Sequence, residues 1–217
     1  STGKSSFAKI IANEFSFMYL DSGALYRGVT LFAMENGYIS DDNAIDVPGL
    51  TEALRGLDLH FGAQGTYIGE RCIEQEIRSM EVAGKVSPIA TVAQVRDFVD
   101  MKLREFGAAK RVVMDGRDIG TVILPDAQVK LFMIASPEAR ASRRFEELKA
   151  RGVETTYEEV LSDMKWRDNN DSSRKIAPAI PAEDAVMFDN SEYTIDEMVD
   201  AKDGINMQLR EEIEIPS

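Results

Sequence analysis

Thr2-Gly3-Lys4-Ser5 is the run whose residue types and spacing point most directly to chemistry. It is the second half of the pattern G-x-x-x-x-G-K-[ST], and it leads straight into a segment with helical spacing. A glycine at that place lets successive backbone N–H groups curl around an anion, and the N-terminus of the following helix adds partial positive charge. Ser1, Thr2, Gly3, Lys4, Ser5 and Ser6 are therefore read as the cradle of a nucleoside triphosphate. Lys4 would reach the β- and γ-phosphates, and the Ser5 hydroxyl would be a ligand of Mg²⁺. The pattern lacks its first glycine, so an upstream strand and that glycine are expected to precede Ser1. A bare Gly-Lys-Ser also occurs in ordinary surface loops; the helix and strand after it favour phosphate.

A second set of residues points to a second anion. Three segments place Arg close to Asp: Asp21-Ser22-Gly23-Ala24-Leu25-Tyr26-Arg27, Asp115-Gly116-Arg117-Asp118-Ile119-Gly120-Thr121, and Trp166-Arg167-Asp168 running on to Asp171-Ser172-Ser173-Arg174. The first two follow apolar strands, and the carboxyl ends of strands are where open α/β sheets bind ligands. A random surface arginine is usually a salt-bridge partner. Here the planar, permanently charged guanidinium suits bidentate recognition of a second phosphate-bearing substrate. Arg140, Arg143 and Arg144 form a further cluster, spaced i, i+3 and i+4 on one face of a helical stretch. That face is either solvated or a lid whose arginines close over transferring phosphates.

The elements that must position these residues alternate in type. Ser6–Asn13 has helical spacing, Phe17–Leu20 reads as a short buried strand, and Tyr26–Glu35 is a helix stopped by Asn36-Gly37. Arg111–Asp115, Val129–Ala135 and Ala185–Asp189 are compact apolar strands, with helices over Pro137–Ala150 and Tyr157–Asp168 between the last two. This order predicts βα units around a parallel sheet flanked by helices, the α/β architecture of P-loop NTPases. From about Ser40 to Phe106 the texture changes. Leu57–Phe61, Thr66–Ile68 and Cys72–Ile77 alternate between glycines, and a helix follows near Val92–Arg104. Residues 40–106 are thus read as a small β-rich insertion, and 1–39 with 107–217 as the core, with a helical lid at about 136–155.

Composition narrows the function. The chain has 217 residues, 25 Lys plus Arg against 38 Asp plus Glu, and a formal charge of −13. A surface of that sign repels nucleic acid polymers, whose binding needs phosphate neutralisation. An anionic substrate needs a local basic cluster instead. Cys72 is the one cysteine and cannot form an internal disulfide; with no apolar run near about 20 residues, a cytoplasmic protein without a membrane partner is expected. Cys72 itself is read as a small, partly buried strand residue. The one histidine, His60, lies in an alternating strand, which argues against histidine chemistry. The acidic end at Glu211–Glu214 is read as a solvated terminus.

Taken together, these stretches resemble the bacterial-type cytidylate kinases over nearly the whole chain. The likeness is carried by Gly-Lys-Ser, Leu20 through Arg27, Ile77-Arg78, Gly116 through Thr121 with Pro125-Asp126-Ala127, and Arg167 through Arg174. The segment from Ser40 to Phe106 is similar to that family's enlarged monophosphate-binding domain. The resemblance implies that Arg27, Arg117 and Arg174 hold the phosphate of CMP, and that Arg167 and Asp171 contact its ribose. It also implies that Ser22, Ser87, Arg96 and Asp118 surround the cytosine. A carboxylate accepting from the exocyclic amine of cytosine would face a carbonyl oxygen in uracil, a discrimination of about 1–3 kcal/mol per good contact.

The reaction implied is phosphoryl transfer from ATP to CMP or dCMP, with Mg²⁺ and no covalent enzyme intermediate, in a chain expected to be monomeric. Lys4, Arg117, Arg140 and Arg144 are the candidates for offsetting charge at the transferring phosphate. Asp118 is the nearest candidate for a base, and cytosine binding explains it at least as well. Two other readings stay open at this point. One is a small-molecule kinase acting on AMP, UMP or a hydroxyl acceptor; the other is a nucleotide-binding module without catalysis.

Overall fold

The computed structural model describes residues 2–173 and 178–192. In chain order its elements are α1 (Lys4–Glu14), β1 (Met18–Asp21), α2 (Ser22–Glu35), α3 (Val47–Leu54), β2 (Leu59–Gly62), β3 (Gly65–Ile68) and β4 (Arg71–Cys72). They continue with α4 (Met80–Ile89), α5 (Ala93–Ala108), β5 (Val112–Asp115), β6 (Leu131–Ile134), α6 (Pro137–Ala150), α7 (Tyr157–Ser173) and β7 (Val186–Asp189). A 3₁₀ turn spans Glu76–Arg78 and a π-helical turn Ile119–Ile123. The chain divides into two compact units: residues up to Tyr19 together with those from Arg117 onward, and Leu20–Gly116.

In the first unit, β6 and β7 are parallel, in register from Leu131 opposite Val186 to Ile134 opposite Asp189. A parallel pair needs a crossover, and α6 and α7, packed on one another, supply it. Phe7 on α1 stacks on Phe188 of β7 at a centroid distance of 5.4 Å, which ties the first helix to this pair. A hydrogen bond from Phe17 N–H to the Ala12 carbonyl (2.7 Å) folds the chain back after α1, with Ser16 at φ 52°.

In the second unit α2 is the central element. It packs on α4, α5, β2 and β3, and buries Ala24, Leu25, Val29 and Leu31 together with Gly28. Gly28 is required there, because a Cβ at this position would stand 2.7 Å from Leu59 Cδ1. The end of β1 and β5 form a two-stranded sheet, while β2, β3 and β4 form an antiparallel meander. Leu50, Leu59, Ile73, Ile77, Val95, Val99 and Leu103 complete the apolar interior.

Two expectations change. The segment 40–106 is not mainly β: alongside three short strands it holds α3, α4 and most of α5. Helices α3 and α4 are signalled by caps rather than by periodicity. Asp46 accepts from Gly49 N–H (3.0 Å) with Pro48 in the first turn, and Ser79 accepts from Val82 N–H (3.3 Å). Likewise α2 starts at Ser22 rather than Tyr26, because Asp21 caps it through Ala24 N–H (3.2 Å). As far as Ser173, the third arginine segment is the last part of α7.

Candidate functional site

The Thr2–Ser5 turn has the conformation its residue types require. Gly3 is the N-cap of α1 in the left-handed region, φ 76°, a conformation that costs an L side chain energy and glycine little. Its carbonyl accepts from Phe7 N–H (3.0 Å), and no side chain caps the helix. Lys4 and Ser5 stand at the start of α1, where the backbone N–H groups of a helix point toward its N-terminus. The Thr2 carbonyl is held by the Nδ2 of Asn190, a fully buried residue that follows β7.

In the same unit, Asp118 is buried with 8% of its surface exposed, and it opens the π-helical turn. Its carbonyl accepts from Val122 N–H at 2.9 Å and from the Thr121 hydroxyl at 3.3 Å. Irregular turns of this kind occur often at functional sites. Arg117, beside it, is exposed.

The arginines of α6 diverge in their partners. Arg140 makes a two-pronged pair with Asp168 on α7, one contact at 2.8 Å, and its Nε donates to the Ala135 carbonyl. The Asp168 carboxylate holds the Arg140 pKa above the ordinary guanidinium value. Arg143 donates to the Asn190 carbonyl at 2.6 Å and to its Oδ1 at 3.4 Å. Arg144 pairs with Glu147 on its own helix at 2.8 Å. Burial pushes the Glu147 carboxyl up, but Arg144 and Arg151 outweigh that and keep it below its usual range. Sequence spacing put these three arginines on one face; packing gives each a different task.

In the second unit, Ser22 is buried at the start of α2 and Arg27 lies on the same helix. Asp21 Oδ2 accepts from Arg27 at 2.7 Å, and Arg78 Nη2 lies 4.0 Å from the same oxygen. The Nε of Arg27 is buried without a hydrogen-bond partner, a charged donor of the kind that a bound anion satisfies. Gly23 makes room for this pair: a Cβ there would stand 3.0 Å from Arg27 Nη1. Arg96, 6% exposed on α5, lies with its guanidinium 5.7 Å from the Tyr26 ring centroid, within cation–π range. It also donates to the Ala90 carbonyl at 3.4 Å. Ser87 is exposed on α4.

Arg167 and Asp171 fall in α7, and their side chains lie outside the described residues, as do Ser1 and Arg174 altogether. The sequence reading left Asp21, Tyr26, Glu74 and Asn190 without a task. Only Asp21 carried a legible signal, an Asp just ahead of a helix in the capping position. Among the described residues, no group of three or more His, Cys, Asp and Glu could hold a metal by itself, and no helix is long and apolar enough to cross a membrane.

A mixed α/β chain with a parallel strand pair, a Gly-Lys-Ser helix start without a side-chain cap and a buried arginine is consistent with a P-loop kinase. Comparison with known proteins narrows that class. The cytidylate kinase family model matches residues 1–203. A protein of Parabacteroides distasonis named cytidylate kinase is 46% identical over 203 residues, covering 91% of this chain and 88% of the relative. Cytidylate kinases of Bacteroides fragilis (45% identity, 91% and 88% covered) and Caldanaerobacter subterraneus subsp. tengcongensis (42%, 91% and 87%) are similar over the same extent. The chain belongs to the cytidylate kinase family.

Proposed function

We propose that this protein transfers the terminal phosphoryl group of ATP to CMP or dCMP, giving ADP and CDP or dCDP. The carrying observation is the left-handed Gly3 at an uncapped helix start followed by Lys4 and Ser5, in a chain of this family. Backbone amides and Lys4 would bind the triphosphate. The start of α1 fits Mg²⁺, because that ion keeps waters and phosphate oxygens as ligands and asks little of the protein beyond one hydroxyl, here Ser5. When bound, Mg²⁺ would neutralise charge on the triphosphate.

The chain's own contribution is to position two anions and exclude water, since phosphoryl transfer needs little covalent chemistry from the protein. Arg27 supports the acceptor-phosphate reading best, through its buried unsatisfied Nε and its place at the head of α2. Arg117 and Arg174 are proposed as its companions, and Arg167 and Asp171 as ribose contacts. Ser22, Ser87, Arg96 and Asp118 are proposed around the base; burial of Asp118 and Arg96 supports a discriminating rather than a merely solvated role. Segments 40–106 and about 136–155 are proposed as the acceptor-binding domain and the lid, with Arg140 and Arg144 assisting transfer. The partner pattern favours Arg144 as the arginine that reaches phosphate, since Arg140 and Arg143 are bonded to other elements.

Coupled ADP production with CMP, dCMP, UMP and AMP offered separately tests the reading. Turnover with CMP and dCMP at least tenfold above the others is expected. ADP formation with UMP or AMP but not with CMP would overturn it.

A further inference from the structure

Asn190 follows β7, well apart in sequence from the phosphate loop, yet it is fully buried and satisfied at both ends of its carboxamide. Its Nδ2 donates to the Thr2 carbonyl, its Oδ1 accepts from Arg143 Nη1 (3.4 Å), and its own carbonyl accepts from Arg143 Nη2 (2.6 Å). The residue is seated by the sheet, since its N–H donates to the Ile134 carbonyl at 2.9 Å. Next to it, Ser191 accepts from Ser136 N–H at 2.8 Å, at the cap of α6. One side chain therefore joins the loop, the end of a strand and an arginine of α6, all within the first unit.

The consequence for the loop follows from peptide geometry. In a trans peptide the C=O and N–H groups point in opposite directions, and no peptide bond among the described residues is cis. Holding the Thr2 carbonyl toward Asn190 turns the Gly3 N–H the other way, away from the interior. Gly3 is in the left-handed region, where a peptide plane turns over readily because no Cβ opposes it. An unheld Thr2-Gly3 plane would present carbonyl oxygen as easily as N–H to an incoming anion. A carbonyl facing a phosphate repels it; an N–H binds it.

We propose that Asn190 is a positioning residue that locks the orientation of the Thr2-Gly3 peptide for triphosphate binding, with Arg143 as the strut that holds its carboxamide. This rests on the reading of Thr2–Ser5 as the ATP loop. It also assigns Arg143 a task separate from any lid function of its neighbours. Asn190 touches no substrate; it acts through the backbone of the loop.

The test is calorimetric binding of MgATP and of CMP, measured separately, to the full chain and its variants. Asn190→Asp is nearly isosteric and keeps an acceptor for Arg143, but it cannot donate to the Thr2 carbonyl. It should weaken MgATP about tenfold while the CMP dissociation constant stays within twofold. Asn190→Ala should weaken MgATP at least as much, and Arg143→Gln about threefold. The double variant Asn190→Ala, Arg143→Gln should be no worse than Asn190→Ala alone, because both act through one path. A purely structural role would lower both affinities together, or only the melting temperature. Unchanged MgATP binding in Asn190→Asp and Asn190→Ala, or parallel loss of MgATP and CMP, overturns the proposal. Should Asn190→Ala not fold, Asn190→Asp and Arg143→Gln decide. Lys4→Ala separates the two levels: if it binds MgATP like the parent, the loop reading itself falls. If it loses MgATP while the Asn190 variants do not, the lock alone is wrong.

Discussion

The candidate anion-binding groups of the two units differ in kind. At the start of α1 the first offers backbone beside Lys4: a left-handed glycine without a side-chain cap, with Asn190 holding the preceding carbonyl. In the second unit the candidates are side chains, Arg27 and Arg96, kept in place by a carboxylate, a carbonyl and a ring. Amides carry no net charge and need only the right peptide orientation. Guanidiniums carry full charge and long flexible stems, so they need counter-charges to hold them before substrate arrives. That is one reason an acidic protein can bind two anions. With a formal charge of −13, part of its acid is spent on pairing: Asp21 and Glu74 in the second unit, and Asp168 in the first.

The largest effect expected from breaking this contrast is at Lys4. Lys4→Ala removes the one side-chain cation of the loop and should lower kcat/KM by about 10²–10³, the usual cost of one donor at a developing charge; steady-state kinetics with saturating CMP checks it. In the second unit, Arg27→Ala should act on the acceptor instead, raising the KM for CMP about tenfold to a hundredfold and leaving that for ATP nearly unchanged. If both variants shifted both constants equally, the division of labour would be wrong. Asp118→Asn should lower the preference for CMP over UMP by about tenfold, since an amide can turn either a donor or an acceptor toward the base.

Two smaller effects probe the scaffold of the second unit. Gly28→Ala places a methyl group against Leu59 and should destabilise by about 1–3 kcal/mol in denaturant unfolding, because a well-packed core resists added volume. Glu74→Gln should cost about 1 kcal/mol at neutral pH. Burial opposes the charge on Glu74, but Arg78 and the Thr66 N–H and hydroxyl outweigh it, so its carboxyl sits below the ordinary value. A depressed pKa adds stability above the unfolded-state value and loses it as pH falls through the folded one. The gap between parent and Glu74→Gln should therefore be full at pH 7 and close under acid. A gap that widened in acid would reverse the assignment.

Much of this was legible because it is local. Glycine before Lys-Ser, apolar strands ending in Asp, and proline at the start of α6 state their conformations within a few residues of themselves. The cap signals of α2, α3 and α4 are local too: Asp21, Asp46 and Ser79 each accept from an N–H three residues on. Composition alone required that any anion site be a basic cluster set in acidic surroundings.

What the sequence could not contain is which partner each charge finds. Arg140, Arg143 and Arg144 are equivalent by helical spacing, yet one pairs with α7, one with the residue after β7 and one with its own helix. Asn190 looks like an ordinary polar residue at a strand end until folding brings it to Thr2. Spacing fixes the face of a helix a side chain occupies; only packing decides what stands opposite it, because the partner comes from an element dozens of residues away.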